Sequence, residues 1–442
     1  MKIAFYTLGC KVNQYETQAL EQLVTQRGHS LVPFEEAADA YVINTCTVTA
    51  VSDKKSRQVI RRARKAAPDA VIAVCGCYPQ THPDDVEKLG VDLISGTGDR
   101  TGFVDLLERE WSDRQPITAL DDAFSRRTFE PLPAGGLEGR TRAMLKMEDG
   151  CVNFCSYCII PYARGRVRSL PLADCVRQAR ELEAAGYREI VLTGIEISSW
   201  GQDLEGKPEL MEAIEAICQG LSPDTRVRLG SLEPRTITPD FCRRAAALPN
   251  LCPHFHLSMQ SGCDTVLARM NRKYDSNRYY ESVKFLHEVY DRPAITTDLI
   301  VGFPGETEEE FQQTLDFIQK CAFSAMHIFP YSKRPGTPAA KLPGQVLNAV
   351  KEERAHRAAQ IARTMQDAYL DSWVGETVPV LFEEERDGLW RGHTTRYCEV
   401  AVDSEADLHN QLREVRLTGV EGATLRGTLF SPAGGAAEET VV

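Results

Sequence analysis

Between residues 140 and 340, short apolar runs alternate with amphipathic helical stretches, and no other feature constrains the fold as much. "DCVRQARELEAAGYREIVLTGI" is one complete unit: an amphipathic helix, a stop at Gly186, then a strand. In "TPDFCRRAAAL", Thr238 stands at the cap and Pro239 at the first helical position. In "AITTDLIVGFPGETEEEFQQTLDFI", a strand leads to Thr307 and Glu310, a T-x-x-E capping box ahead of Phe311, Leu315 and Ile318. Such units, repeated over about 200 residues, predict an α/β fold whose parallel strands close into a full or partial (β/α) barrel. Functional residues in that fold gather at the C-terminal ends of the strands.

The flanking regions read differently. Residues 1–111 set the apolar runs "KIAFYTLG", "ADAYVINTC" and "AVIAVCGC" beside a helix-spaced "ETQALEQLVTQRG", which predicts a small α/β domain with a parallel sheet. Loops after parallel strands collect at one sheet edge, so Cys10, Cys46 and Cys77 could meet there. Residues 112–139 are weakly periodic and end in a Pro/Gly cluster, the pattern of a linker. The barrel region, 140–370, closes on a helical stretch that begins at residue 350. Residues 371–437 carry short alternating β segments, as a small β-barrel does, and 438–442 read as a loose tail.

"EDGCVNFCSYCIIP", residues 148–161, holds Cys151, Cys155 and Cys158 in a C-x3-C-x2-C spacing. Three thiols this close seldom share a loop without a metal. Zinc is one reading, although no nearby His or Cys completes a four-ligand set. A [4Fe–4S] cluster with one iron left open for substrate is another. The 14 cysteines are spread along the chain, which disfavours a disulfide scaffold and suggests a reducing, cytoplasmic setting. No apolar run approaches the roughly 18 residues of a membrane span, and the N-terminal run is too short for a signal peptide.

The net charge of −12 argues against nonspecific nucleic-acid binding by the whole surface. Residues 52–67, "SDKKSRQVIRRARKAA", depart from that balance with seven basic residues and one acid. On a helix, Lys54, Arg57, Arg61, Arg64 and Lys65 share a face that suits a phosphate backbone or plain solvent. Arg164, Arg166 and Arg168 add positive charge after the cysteine loop, and one of them could pair with a cofactor or substrate carboxylate.

A C-x3-C-x2-C loop ahead of a (β/α) barrel resembles the radical S-adenosylmethionine (SAM) superfamily. The resemblance implies that Cys151, Cys155 and Cys158 hold a [4Fe–4S] cluster whose open iron binds the amino and carboxylate groups of SAM. It also implies an electron donor of the flavodoxin or ferredoxin kind, whose electron cleaves SAM to a radical that abstracts hydrogen. "LTGIEI" would bring Gly194 and Glu196 near the SAM amino group. "RLGSLEP" would bring Ser231 and Glu233 near its methionyl or ribose groups, and Arg164 is a further candidate contact. "DLIVGFPGE" resembles the segment that passes the adenine.

"LGCKVNQYE", "VINTCTVT", "CGCYPQ", the cysteine loop and the C-terminal β module together resemble the methylthiotransferase family over nearly the whole chain. That family implies a second [4Fe–4S] cluster on Cys10, Cys46 and Cys77; its pattern of Gly before the third ligand leaves Cys75 as a core thiol. It implies two uses of SAM, one to methylate a cluster-held sulfur and one to make the radical. "GCKVNQYE" resembles the branch acting on N6-threonylcarbamoyladenosine at position 37 of tRNA, so Lys11, Val12, Asn13 and Gln14 carry the branch signal. The expected function is methylthio transfer to carbon 2 of that nucleoside. The alternatives are isopentenyl-adenosine tRNA or a ribosomal-protein aspartate as substrate and, from another class, a non-catalytic zinc-stabilised RNA-binding protein. "GHTTRYCEVAV" resembles the RNA-binding TRAM domain, yet residues 371–442 hold 14 acids and 6 basic residues. Strong phosphate contacts there would need Arg391, Arg396, Arg413, Arg416 and Arg426 on one face.

Overall fold

A computed structural model describes residues 1–135 and 140–430. The end of the expected linker, 136–139, and everything after 430, including the expected tail 438–442, lie outside the described residues.

Six parallel strands form the first sheet: β1 (Lys2–Thr7), β2 (Ser30–Val32), β3 (Ala40–Thr45), β4 (Val71–Gly76), β5 (Leu93–Ser95) and β6 (Ile117–Ala119). Their order is β2-β1-β3-β4-β5-β6. Helix α1 (Lys11–Gln26) covers one face and α2 (Ala50–Ala66) the other. With both faces covered, β3 and β4 are buried at every position, hence their unbroken apolar runs. β6 falls inside the segment read as linker; three residues are too few to show a strand period.

Thr49 caps α2 by accepting from the Ser52 N–H, and Ile60 and Ala63 are buried beneath it. The basic stripe on α2 divides. Arg57 donates to the Tyr78 hydroxyl, and Arg64 is taken by Asp92 and the carbonyls of Pro68, Ala70 and Gly90. Lys54, Arg61 and Lys65 remain exposed.

The second domain begins at β7 (Arg142–Lys146). A short antiparallel pair, β8 (Glu148–Asp149) and β9 (Arg168–Ser169), then frames the cysteine loop. The remaining strands are β10 (Glu189–Thr193), β11 (Arg226–Leu229), β12 (Ser231–Leu232), β13 (His254–Leu257), β14 (Ala294–Val301) and β15 (Ala325–Pro330). The parallel order is β11-β10-β7 in one part and β12-β13-β14-β15 in the other, joined through Gly230. Thr238 caps its helix, and Thr307 and Glu310 exchange both bonds of the capping box, as their spacing predicts.

The barrel is partial, because its edges β7 and β15 do not pair with each other. The N-terminal domain meets both edges. Tyr15 and Ala19 of α1 pack near Met144 of β7. On the other side, Ser332 accepts from the Ala50 N–H, and Arg334 grips Asp53 and Thr47 at 2.6 Å each. Along β14, Thr297, Leu299 and Val301 are buried, whereas Thr296, Asp298 and Ile300 are half-buried on the opposite face. Ser231, His327 and Phe329 are exposed although they lie in strands, so the inner face borders an open lumen. There His256 Nε2 stands 3.3 Å from Asp298.

After the helix Asn348–Asp371 come β16 (Thr377–Arg386), β17 (Leu389–Thr394), β18 (Glu399–Val402), β19 (Leu412–Glu421) and β20 (Thr424–Leu429). They close into a barrel in the order β16-β17-β18-β20-β19 around Val380, Phe382, Val400, Val415 and Leu425. This barrel docks on the N-terminal ends of the preceding strands. Arg226 donates to the carbonyls of His393 and Pro379, and Arg228 to that of Thr395, all at 2.8 Å. Its arginines do not gather on one basic face. Arg391 pairs with Glu399 and Arg426 with Glu421, while Arg396 lies over the Trp373 ring. Arg413 and Arg416 are exposed.

Candidate active site

The cysteine loop is held from outside itself. The Cys151 N–H donates to the Gly165 carbonyl, the Ser156 N–H to Met270, and the Asn271 side chain to the Phe154 carbonyl. Burial pushes the Cys158 thiol up to about 12, with Cys155 adding to the effect. Burial also raises Cys151, and Glu196, Cys158 and Cys155 add to it, so the three sulfurs lie in each other's field. Arg272 Nη1 donates to Cys155 Sγ at 3.2 Å. The rest of its guanidinium bonds Ser258 O and Tyr274 OH, so no described carboxylate neutralises this cation beside the thiols. The sequence reading missed Arg272; it lies 117 residues after Cys155 and outside every motif.

Glu196 accepts from Asn153 and from the Ser198 N–H, each at 3.1 Å. Burial raises its carboxyl, and Glu233 adds to the rise, which makes the two acids neighbours. One Glu233 oxygen pairs with Arg235; the other, Oε1, is buried without a partner among the described residues. An orphaned acceptor of this kind fits a hydroxyl or ammonium donor of SAM. Ser231 is exposed on the lumen face, in register with His256. Gly194 acts through packing: a Cβ there would come within 2.7 Å of the Glu148 carboxyl. Glu148 in turn accepts the Glu196 N–H at 2.7 Å, and burial holds its carboxyl well above the usual range.

Arg164 stands elsewhere than expected. It is fully buried, and its terminal nitrogens are taken by Glu16, Asp149 and Asn13. That leaves neither terminal nitrogen for a soluble cofactor. Glu16 also receives Arg100 at 2.8 Å and Lys146 at 2.9 Å; Asp149 receives Lys146 at 2.8 Å and Arg168 at 3.3 Å. Two carboxylates thus face four cations across the junction of the first two domains. Arg166 remains exposed.

The N-terminal cysteines come together as the parallel sheet predicts. Cys10 caps α1, Cys46 follows β3, and Cys77 opens the helix after β4. Burial pushes Cys77 up to about 12; Arg164 opposes the rise, and Cys46 and Cys10 add to it. Cys75 instead belongs to the core with Ile3, Leu20 and Val42, and burial takes it to about 11. Among the described residues, no three such groups are drawn close enough to grip a single metal ion. A cluster on three thiolates is a net anion, and the excess positive charge around Glu16 and Asp149 fits such a group beside Cys77.

Gly76 turns the chain into this site with φ +100, and a Cβ would meet Thr45 O at 2.5 Å and Asn44 Oδ1 at 2.6 Å. Gly76→Ala should therefore displace Cys77. Anaerobically purified variant is expected to lose about half its iron and sulfide while SAM cleavage persists; full iron content would contradict this.

A partial (β/α) barrel with a C-x3-C-x2-C loop beside the half-buried Glu196 and the buried Glu233 defines a radical SAM protein, and comparison with known proteins agrees. Residues 145–318 match the Radical SAM superfamily and residues 2–96 the uncharacterized protein family UPF0004. The fold is similar to that of the radical SAM methyltransferase TsrM of Kitasatospora setae, with TM-score 0.54 and 16% identity over 88% of this chain and 80% of that one. The chain is 41% identical to threonylcarbamoyladenosine tRNA methylthiotransferase MtaB of Bacillus subtilis, over 94% of its own length and 93% of the relative's. It is 31% identical to tRNA-2-methylthio-N(6)-dimethylallyladenosine synthase of Pelotomaculum thermopropionicum, over 97% of each. The chain belongs to the radical SAM methylthiotransferase family, and its cofactors are SAM and two [4Fe–4S] clusters.

Proposed function

We propose that this enzyme adds a methylthio group to carbon 2 of N6-threonylcarbamoyladenosine in the anticodon loop of tRNA, at position 37. The observation that carries the reading is the grouping of six cysteines into two trios on two clamped domains, in a chain 41% identical to a transferase named for that nucleoside. In this reading, residues 1–111 hold one cluster through Cys10, Cys46 and Cys77. Residues 140–370 hold the other through Cys151, Cys155 and Cys158. The closed β-barrel of residues 377–429 braces the partial barrel from below. The clusters and SAM supply the one-electron and methyl-transfer chemistry, with electrons from a flavodoxin- or ferredoxin-like donor.

The chain's own residues bind and orient. Glu196 and Glu233 take the donors of SAM, Ser231 faces the lumen, and Arg272 holds Cys155. The N-terminal domain fills the gap between β7 and β15 and so limits water in the lumen. The test is nucleoside mass spectrometry on tRNA after anaerobic reaction with SAM and a reductant. Conversion of threonylcarbamoyladenosine to its 2-methylthio form is expected. Conversion of isopentenyl-adenosine instead, or of neither nucleoside, would sink the assignment.

A further inference from the structure

Lys11 occupies a position that electrostatics disfavours. It is the first residue of α1, where the helix dipole repels a cation, and no acid stands in that first turn. No described hydrogen bond or ion pair engages its ammonium. It is exposed to solvent, while the protein packed around it lowers the pKa of its ammonium. Its charged neighbours are Arg228, Arg142 and Glu189 at the foot of the barrel, and His254 also lies in its field.

Those neighbours offer it no counter-ion. Glu189 is held by Arg228 through two bonds, at 2.7 and 2.8 Å. Arg142 is matched by Glu383 at 2.6 Å. Both guanidinium groups also lie over the Tyr397 ring, which is stacked between His254 and His393. Arg226 is bound only to carbonyls. Residues from all three domains thus share one electrostatic neighbourhood in which cations outnumber carboxylates, and Lys11 alone among these cations has no hydrogen-bond or ion-pair partner among the described residues. Such a neighbourhood favours an anion from outside.

We propose that Lys11 binds the threonyl carboxylate of the substrate nucleoside and so sets this chain's preference for a carboxylate-bearing N6 group over an uncharged one. The proposal rests on the substrate reading above. The placement suits the chemistry. Lys11 directly follows Cys10, and carbon 2 and the N6-bearing carbon 6 flank N1 on the same edge of the purine. A long flexible side chain beside the first cluster ligand can therefore reach the N6 substituent of a nucleoside whose carbon 2 faces that cluster.

The test uses reconstituted holoenzyme and two anticodon stem-loops, one with threonylcarbamoyladenosine and one with its carboxylate converted to the isosteric carboxamide. Wild type should prefer the carboxylate in kcat/KM by about tenfold or more, the worth of one charge-assisted bond. Lys11→Gln should bring that ratio close to unity, mainly through KM, and Lys11→Arg should keep most of it. The ratio is taken within one preparation, so partial misfolding or cluster loss cancels. If Lys11→Gln turns over neither stem-loop, their relative affinities measured by competition give the same ratio. An unchanged ratio in Lys11→Gln overturns the proposal and leaves Lys11 facing a backbone phosphate or solvent. Absence of preference in wild type overturns it too. Wild type inactive on both stem-loops defeats the substrate reading itself and this inference with it.

Discussion

Replacing Cys151 with alanine is expected to abolish SAM cleavage and methylthio transfer together and to remove about half of the chain's iron and sulfide. The loop offers three thiols and no fourth. The loss should be chemical rather than structural. Cys151 is only half-buried, and the loop backbone is pinned by Gly165, Met270 and Asn271 rather than by that thiol. The denaturation midpoint should accordingly stay close to wild type. Cys10→Ala gives the contrasting result: some SAM cleavage survives and methylthio transfer stops. Cys75→Ala should leave both activities, since that thiol packs among Ile3, Leu20 and Val42. A Cys151→Ala protein that still cleaves SAM would refute the assignment, as would a colourless wild-type protein that contains zinc and no sulfide.

Local chemistry was the legible part of this molecule. The caps at Thr238 and Thr307, the barrel rhythm and the three-strand convergence of Cys10, Cys46 and Cys77 all follow from short-range pattern and from the geometry of parallel sheets. What stayed hidden depends on which side chain meets which across domains. Arg164 looked like a cofactor ligand because it follows the cysteine loop, yet its partner Glu16 is 148 residues earlier. Arg64 looked like part of a phosphate-binding stripe, but the carbonyls beyond its own helix end claim it. Arg272 and Lys11 are the converse: one sits outside every motif, the other inside a motif whose physical meaning depends on the opposite wall of the barrel. Spacing along a chain reveals faces and ends; it does not reveal which charges are already neutralised.

Glu16 gives the largest expected effect on stability. It is fully buried on α1, where Arg164, Lys146 and Arg100 converge on it. Burial opposes its ionisation most strongly, but the three cations together hold its carboxyl well below the usual range. Glu16→Gln preserves the shape and removes the charge, leaving those cations to face Asp149 alone. Breaking a buried network in this way costs about 3–5 kcal/mol. The cost should fall on the docking of the N-terminal domain, because Lys146 and Arg164 belong to the barrel and Glu16 does not. Denaturant unfolding is therefore expected to separate into two steps, the first moved to lower concentration. The pH dependence has a definite sign. A carboxyl with a depressed folded pKa stabilises fully above its unfolded value, roughly pH 4.3, and that stabilisation is lost as pH falls through the folded value. The gap between wild type and Glu16→Gln should thus be full at pH 7 and shrink in acid. Equal stability at pH 7 would show that Arg334 and its partners Asp53 and Thr47 suffice to hold the domains together, and that the charge of Glu16 contributes little.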